Sequence, residues 1–314
     1  MELTIGVDVG GTKIAAGVVD PDGTVIEKVR VETPATTAQA VERGIVTAVL
    51  QLLERHTVTS VGLAVAGFVD EKRSVLRFAP NLPMIERPLR DIVGDRVGVP
   101  VVVENDANAA AWGEYRFGGG RGDSDVVLLT VGTGLGGGIV LDGRLLRGAF
   151  GAAGEFGHVR LVPGGLPCGC GNHGCWEQYT SGSALIREAR FVARTKPEQA
   201  ERLLQLAGGD PEDITGTMIT RVAEEGDATA VGLLAGVGRW LGEGIADIAN
   251  VLDPATVVVG GGVSEAGELL LAPARAAYTA QLSAGAHRPH LRIVAAELGN
   301  DAGLIGAADL ARLR

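Results

Sequence analysis

The amino-acid sequence predicts a mixed α/β protein with two related domains. Strand-like runs alternate with stretches whose apolar residues recur at helical spacing, which is typical of a sheet with crossover connections. One unit, consisting of a strand, a glycine turn, a second strand and an Asp-Gly turn, occurs at residues 5–23 and again at residues 126–143. Since 314 residues are too many for one ordinary core, this repeat indicates a duplicated domain.

The first half of the chain begins with three predicted strands in a meander. Asp22-Gly23 is a hairpin-turn sequence, and Val41, Ile45 and Leu52 recur at the spacing of one helix face. The predicted elements, in order, are strands at residues 3–9, 14–19 and 24–31, a helix at 37–55, a strand at 60–66, a loop with three prolines, a short helix, a strand at 100–104 and a helix from Ala107.

The second half repeats the opening unit and then becomes mainly helical. Its predicted elements are strands at residues 126–131 and 139–141, helices at 182–207, 215–225 and 227–251, strands at 256–259 and 291–295 with a helix between them, and a last helix from residue 301. The glycine-rich, polar run at residues 117–125 predicts the linker. We therefore expect an N-terminal α/β domain at residues 1–117 and a C-terminal α/β domain with a cysteine-rich loop at 118–300, while the helix at 301–314 packs back on the first domain.

Charge and hydropathy limit the class of partner. The formal net charge is −10, and an acidic surface is repelled by nucleic acid and by anionic membranes. The sequence goes directly into a strand pattern, with neither a signal-peptide pattern nor an apolar run of membrane-spanning length. We therefore expect a cytoplasmic protein with no nucleic-acid or membrane partner, acting on a small neutral substrate.

All three cysteines of the chain lie close together, at Cys168, Cys170 and Cys175, with His158 upstream. Three thiols cannot all pair in disulfides, and Cys168 and Cys170 are too near in sequence to bridge comfortably. Three thiolates and one imidazole suit a closed tetrahedral zinc site, which would fix a loop that has no packed core of its own. The alternative is three incidental buried cysteines beside a core histidine.

A closed zinc site is structural, because it leaves no ligand position for water. The chemistry is therefore expected in the residues that this loop positions, which are Glu155, His158 and Glu177.

Three glycine-rich turns follow predicted strands. Glycine lets backbone amides approach phosphate oxygens, and a run of turn amides forms an anion-binding concavity. The turn at residues 132–138 also matches the Gly-x-Gly-x-x-Gly pattern of dinucleotide-binding folds, but a strand follows it where that pattern needs a helix, and no Walker A sequence occurs. One such turn alone is more often a tight strand connection, whereas three together favour phosphate binding. The residues expected to bind ATP are Gly10, Gly11, Thr12, Lys13, Gly132, Thr133, Gly134, Gly260, Gly261 and Gly262.

Two aspartates stand at the ends of predicted strands. Asp106 follows the strand at 100–104, where an aspartate is often only a helix N-cap, but Glu104 and Asn105 make this strand end unusually polar. Ligands of open α/β sheets bind at the carboxyl ends of the strands. Asp8 ends the first strand beside the first glycine turn, where it is placed to meet a phosphate-bound Mg²⁺; its alternative role is hydrogen bonding within the turn.

Together these motifs resemble the ROK family of sugar kinases, and within it the bacterial enzymes that phosphorylate glucose. Residues 8–13 are similar to the family's first phosphate motif, 130–138 to the second and 260–262 to the adenosine turn. Residues 155–158 and 168–177 resemble its sugar and zinc motifs, and the resemblance covers nearly the whole chain. It implies an actin-like ATPase fold of two ribonuclease-H-like domains, with ATP and sugar meeting in an interdomain cleft.

The resemblance also implies the roles of single residues. Asp106 would be the general base toward the 6-hydroxyl of D-glucose, with ATP as the phosphoryl donor, Mg²⁺ bound with ATP, and zinc in the cysteine loop. His158 would bind both zinc and sugar. The residues implied to contact the other sugar hydroxyl groups are Asn105, Glu155, His158 and Glu177, together with the backbone of Gly67.

Other functions remain open at this point. A kinase for another hexose or for an N-acetylhexosamine would need the same polar residues. A sugar-sensing regulator would use the same pocket without chemistry, but we expect a regulator to carry a DNA-binding domain ahead of the first strand, which here begins at Leu3. We also expect a homo-oligomer, either a dimer or a tetramer.

Overall fold

The computed structural model describes residues 2–313. Met1, where the predicted N-terminal domain begins, and Arg314, where the predicted last helix ends, lie outside the described residues. The strands are β1 Thr4–Val9, β2 Lys13–Val19, β3 Val25–Glu32, β4 Val61–Val65, β5 Phe68–Val69, β6 Leu76–Phe78, β7 Ile85–Arg87, β8 Val101–Asn105, β9 Val126–Val131, β10 Leu135–Leu141, β11 Arg144–Leu145, β12 Thr256–Gly260 and β13 Arg292–Ala295. The helices are α1 Ala38–Leu53, α2 Leu89–Val97, α3 Asp106–Phe117, α4 Gly182–Thr195, α5 Glu201–Leu206, α6 Gly216–Glu224, α7 Ala228–Leu252, α8 Glu268–Gln281 and α9 Ala302–Arg312.

The chain divides into two compact units. The first comprises the chain up to Leu128, the segment 138–154 and the chain from Ala296 onward, and the second comprises residues 129–137 and 155–295. The boundary between residues 117 and 118 that the linker composition predicts remains a proposal. Within residues 2–313, no helix combines the length and the apolar character needed to cross a membrane.

The sheet of the first unit has the strand order β3-β2-β1-β4-β8, in which β1, β2 and β3 form the predicted antiparallel meander. β4 runs parallel to both β1 and β8, so the carboxyl ends of these three strands lie at the same edge. In this register Asp8 is opposite Ala64, which is opposite Glu104. The edge therefore carries Asp8 on one strand and, two strands away, Asn105 and Asp106.

Helix α9 packs directly on one face of this sheet. Glycines in the strands make the close approach possible: a Cβ at Gly6 would lie 1.8 Å from the carbonyl oxygen of Leu304, and one at Gly62 would lie 1.9 Å from that of Ala307. Helices α1 and α2 cover the opposite face and share its apolar core with β1 and β4. Helix α1 begins after Thr37, whose hydroxyl accepts the N–H of Ala40 at 3.2 Å.

The second sheet has the strand order β11-β10-β9-β12-β13. Here the prediction of one glycine loop at residues 132–138 is wrong, because β10 already begins at Leu135. Gly138, the last glycine of this run, serves packing: a Cβ there would lie 2.6 Å from the side chain of Ala111 in α3. The turn itself is therefore limited to Gly132, Thr133 and Gly134.

Two further differences from the predicted elements concern prolines. The single helix predicted at 182–207 is divided, since α4 ends at Thr195 and Pro197 begins a short 3-10 turn before α5. A small sheet with the order β5-β6-β7 occupies the region in which Pro80, Pro83 and Pro88 predicted only a loop. Its strands have two or three residues each, too few for a pattern to be seen in the sequence.

Candidate active site

Asp8 and Asp106 lie at the carboxyl edge of the first sheet. Burial raises the pKa of Asp8 to about 6, and the charge of Asp106 adds to this effect, whereas Lys13 and Lys28 act in the opposite direction. Burial also raises the pKa of Asp106, and hydrogen bonds from the backbone N–H groups of Ala107 and of Asp106 itself partly offset this by lowering the pKa. Two carboxylates that repel each other in a partly buried place favour a bound cation or an accepted proton.

Asn105 connects Asp106 to Gly67. Asn105 is the N-cap of α3, and its Oδ1 accepts the N–H of Asn108 at 2.9 Å. Its Nδ2 donates to the carbonyl oxygen of Gly67 and to Oδ1 of Asp106, both at 3.1 Å. Gly67 has no room for a side chain, because a Cβ there would lie 2.3 Å from the carbonyl oxygen of Phe78. The structure thus brings together the three residues of the first unit that are predicted to contact the sugar.

The first glycine turn follows β1 directly. The N–H of Gly10 donates to the carbonyl oxygen of Lys13 at 3.0 Å, which closes the turn, and the Gly10 carbonyl accepts the Thr33 hydroxyl at 2.7 Å. Thr12 and Lys13 are exposed, and the ammonium group of Lys13 is near enough to lower the pKa of Asp8. The turn therefore presents a compact backbone and a positive charge beside the Asp8 carboxylate.

Glycine turns of the second unit line a cavity of about 830 Å³. In the turn after β9, the N–H of Gly132 donates to the Gly134 carbonyl at 3.0 Å, and the Gly132 carbonyl accepts the N–H of Gly182 at 2.7 Å. After β12, Gly261 has a φ of +87°, and a Cβ there would lie 2.6 Å from backbone atoms of Val131, so glycine is required. A cavity of this volume is large enough for a nucleotide.

Helix α6 forms a wall of this cavity that the sequence analysis did not predict. Predicted turn residues line the cavity together with residues of α6, namely Gly132, Thr133 and Gly262 with Thr217, Thr220, Arg221 and Glu224. The spacing of the α6 residues marks one face of a helix, but a polar helix face is usually just solvated. Only the position of α6 beside the turns distinguishes it.

The predicted zinc ligands come together in the second unit. One ligand atom from each of His158, Cys168, Cys170 and Cys175 lies within 4.8 Å of all the others, and the thiols are not in disulfides. Cys170 Sγ is 3.6 Å from Cys175 Sγ, and Cys168 Sγ is 3.8 Å from His158 Nδ1. A tetrahedral zinc with bonds of about 2.0–2.3 Å separates its ligand atoms by roughly 3.5–3.8 Å. The four residues therefore fit one zinc ion.

The loop that carries these residues is held mainly by its own backbone. Cys168 N–H donates to the Asn172 carbonyl at 2.8 Å, and Gly174 N–H donates to the Leu166 carbonyl at 2.7 Å. Burial raises the pKa of the Cys168 thiol to about 12, whereas the backbone N–H of Asn172 lowers that of Cys170 to about 7. A bound metal ion would lower all of these pKa values, because it stabilises the thiolates.

Glu177 lies between the cysteine loop and the second glycine turn. Its Oε1 accepts the Cys168 thiol at 3.0 Å and is 3.8 Å from His158 Nδ1. Its Oε2 lies 2.8 Å from the place that a Cβ on Gly134 would occupy. The adjacent Trp176 is 2% exposed and anchors this segment.

Glu155 precedes a 3-10 turn at Phe156–His158, in which its carbonyl accepts the N–H of His158 at 3.1 Å. Gly157 lets this turn lie against β10, since a Cβ there would be 2.3 Å from the Leu135 carbonyl oxygen. The structure therefore holds Glu155, His158 and Glu177 within one unit, as it does Asp8, Gly67, Asn105 and Asp106 within the other.

Structural comparison gives the class of protein. The crystal structure of a ROK family glucokinase from Streptomyces griseus in complex with glucose and AMPPNP matches with a TM-score of 0.90 and 54% identity, covering 99% of this chain and 100% of that one. This match confirms the actin-like ATPase fold.

Sequence comparison gives the family. A model of the ROK family matches residues 4–314. A glucokinase of Streptomyces coelicolor is 53% identical over 312 residues, 99% of this chain and 98% of that protein. An N-acetylmannosamine kinase of Escherichia coli is 37% identical over 313 residues, 98% of each chain. The chain therefore belongs to the ROK family, which confirms the resemblance seen in its motifs.

Proposed function

We propose that the protein is a glucokinase, which transfers the γ-phosphoryl group of ATP to the 6-hydroxyl of D-glucose. The observation that carries this proposal is the similarity to the Streptomyces griseus glucokinase, whose structure contains glucose and AMPPNP. A likeness at 54% identity that extends over nearly the whole of both chains supports the same substrates.

Asp106 is the proposed general base. A sugar hydroxyl is a weak nucleophile at neutral pH, so its proton must be accepted as the bond to phosphorus forms. Burial raises the pKa of Asp106, which makes it a stronger base than an exposed aspartate. Asn105 donates to Oδ1 of Asp106 at 3.1 Å and so fixes the orientation of the carboxylate. Asn105 itself and the backbone of Gly67 are proposed to bind neighbouring hydroxyl groups.

Asp8 and the first glycine turn are proposed to hold the phosphate groups. Mg²⁺ bound with ATP neutralises charge on the transferred phosphoryl group. Asp8, at the end of β1, is the carboxylate that would hold this ion, and its pKa of about 6 leaves it ionised at neutral pH. Gly10, Gly11 and Thr12 bring backbone close to the phosphates, and Lys13 adds positive charge.

The remainder of ATP is assigned to the cavity of about 830 Å³ in the second unit. The turn residues Gly132, Thr133 and Gly134 are proposed to bind phosphate, and Gly260, Gly261 and Gly262 to bind adenosine. Open space supports this assignment, because among the described residues, apart from the chain neighbours of each glycine, no atom lies within 4 Å of a Cβ built on Gly132 or Gly262.

Zinc is proposed as a structural ion of the cysteine loop. Its proposed ligands are Nδ1 of His158 and the thiolates of Cys168, Cys170 and Cys175. Bound zinc would close the loop around a tetrahedral centre without an open position for water. Since Nδ1 of His158 faces Cys168, Nε2 is the ring nitrogen left for a sugar hydroxyl. Glu155 and Glu177 are proposed to bind the remaining hydroxyl groups.

A second candidate is a kinase for an N-acetylhexosamine, which the 37% identity to the N-acetylmannosamine kinase favours. A panel of sugars assayed with ATP by coupled ADP release decides between the two, with NMR of the product to locate the phosphate. We expect glucose to give the highest kcat/KM and glucose 6-phosphate as the product. Preference for N-acetylmannosamine, or no sugar-dependent ADP release, would contradict the glucokinase assignment.

The proposed setting is the cytoplasm, where ATP is available and reducing conditions keep the three thiols free for zinc. A homo-oligomer is proposed as well, and sedimentation equilibrium would distinguish a dimer from a tetramer.

A further inference from the structure

Glu104 is a buried carboxylate to which the proposed reaction gives no role. It lies in β8 directly before Asn105 and Asp106 and is 3% exposed. Its Oε1 accepts the N–H of Asn105 at 3.2 Å and Nδ2 of Asn108 at 3.3 Å. One oxygen of this carboxylate thus holds both sides of the junction at which β8 becomes α3, and Asp106 lies at that junction.

The other oxygen of Glu104 faces two arginines. Nε of Arg147 donates to Oε2 at 2.7 Å, and Nε of Arg73 lies 3.4 Å from the same atom. The Arg147 and Arg73 side chains are only 24% and 17% exposed. Burial lowers the pKa of Arg73 to about 10, against the raising effect of Glu104. Such a cluster is costly to desolvate and often stabilises a fold no better than apolar residues would, so stability alone explains it poorly.

Arg147 begins a loop of residues 147–153, which we call the Arg147 loop. The N–H of Ala153 donates to the carbonyl oxygen of Arg147 at 3.0 Å and closes the loop. Gly148, Gly151 and the following Gly154 all have positive φ, a conformation that excludes regular strand or helix here. The ion pair with Glu104 thus attaches a segment that has no helix or strand of its own.

The Arg147 loop passes close to the backbone that Asn105 also contacts. A Cβ at Gly151 would lie 2.1 Å from the carbonyl oxygen of Val69 in β5, two residues beyond Gly67. After Gly154 the chain continues directly to Glu155. The loop thus connects, along the chain, the surroundings of Asp106 with the start of the motif proposed to bind sugar.

We propose that Glu104 and Arg147 are positioning residues, which hold the Asp106 junction and the Arg147 loop in one arrangement for sugar phosphorylation. This inference rests on the proposed function. It assigns no contact with substrate to either residue: Glu104 acts through Asn105 and Asp106, and Arg147 acts through the loop that leads to Glu155. Arg73 supplies a second positive charge beside Oε2 of Glu104.

Steady-state kinetics of Arg147→Met test the inference, because methionine keeps an aliphatic stem and removes the charge. Misplacement of reacting groups by even ~1 Å can cost on the order of 10²-fold, so we expect kcat/KM for glucose to fall by roughly 10- to 100-fold. The KM for ATP should change little. Arg147→Lys should recover much of the loss, and Arg144→Met, the same change at an exposed position in β11, should behave like the wild type.

Glu104→Gln tests the same link from the carboxylate side while keeping its volume. If the two residues act as one unit, the double variant Glu104→Gln with Arg147→Met will lose less than the product of the two single losses. Independent, multiplicative losses would overturn the inference. A purely structural pair would lower the melting temperature but leave the KM for glucose and kcat of the folded enzyme unchanged, and that result would also overturn it.

Amide hydrogen exchange provides a readout that does not depend on catalysis. In Arg147→Met, peptides covering residues 104–110 and 146–154 should exchange faster than in the wild type, while Arg144→Met should leave both unchanged. Unchanged exchange in Arg147→Met would overturn the inference whatever the activity. A wild type without sugar phosphorylation would instead contradict the proposed function, and the exchange data would still decide whether Glu104 and Arg147 hold these two segments.

Discussion

Replacing Asp8 with asparagine should stabilise the fold at neutral pH, although Asp8 is proposed to hold Mg²⁺. Burial is the largest cause that raises the pKa of Asp8 from 3.8 to about 6. The folded-state pKa of Asp8 is above the unfolded-state value. The contribution of Asp8 to the free energy of unfolding is therefore favourable at low pH and is lost as pH rises through about 6. Above that pH, the difference between the two pKa values corresponds to about 3 kcal/mol of folding free energy.

The assay is urea unfolding in the presence of EDTA, at pH steps from about 3 to about 8, which bracket the two pKa values. Wild type and Asp8→Asn should differ little at the acid end, where both carry a neutral side chain. As pH rises, the variant should become more stable than the wild type by up to about 3 kcal/mol. Loss of the attraction between Lys13 and the Asp8 carboxylate should reduce this gain. The same variant should lose most of its ATP-dependent turnover.

Asp22→Asn is the matched control, since it makes the same change at an exposed turn residue of the first unit. Its stability should stay close to that of the wild type at every pH. An Asp8→Asn variant that is less stable than the wild type at about pH 8, or whose gain in stability is the same across the whole pH range, would show that burial does not destabilise the ionised Asp8 carboxylate.

Four further substitutions have definite expected outcomes. Asp106→Asn should lower kcat by roughly 10²-fold or more through loss of the proton acceptor while glucose binding, measured by calorimetry, is largely retained; near-normal turnover would remove Asp106 from its role. Cys170→Ala should abolish the one zinc per chain expected by metal analysis and lower kcat/KM for glucose more than it affects ATP binding, whereas a fully active, zinc-free wild type would rule out the zinc centre. Gly261→Ala should weaken ATP binding and stability, because its φ is +87° and its Cβ would meet Val131 at 2.6 Å; Gly262→Ala, with open space around it, should stay stable, and equal stability losses in both would contradict this reasoning.

The first sheet could be predicted because its signals are local. Asp22-Gly23 specifies the turn between β2 and β3, and the two-residue period of a strand is visible in the burial of β3, which switches between half-buried and exposed at each residue. The polar strand end at Asn105 and Asp106 was equally visible. What the sequence could not supply is the register, which places Asp8 and Asp106 at the same edge with β4 between their strands.

Other parts of the structure depend on contacts that no local pattern contains. In the sequence, Glu104 looks like one more polar residue at the end of a strand. Its two charged partners, Arg73 and Arg147, lie 31 residues before it and 43 residues after it in the chain. The α6 wall of the nucleotide-sized cavity is a similar case, because Thr217 and Glu224 lie on an ordinary polar helix face. Contacts with residues distant in the chain, and not residue type, distinguish these positions.

Glycine shows the same limit most directly. Gly62 in β4 and Gly132 after β9 both belong to apolar strands or their ends, yet their surroundings differ completely. A Cβ at Gly62 would lie 1.9 Å from the Ala307 carbonyl oxygen, so this glycine makes room for a helix. A Cβ at Gly132 would have no atom within 4 Å in residues 2–313 apart from its chain neighbours. Open space beside a turn is the condition under which backbone can approach a ligand. A high glycine content therefore predicts that other groups approach the backbone closely at some positions. Only the packing around each glycine decides whether that group is a helix or a ligand.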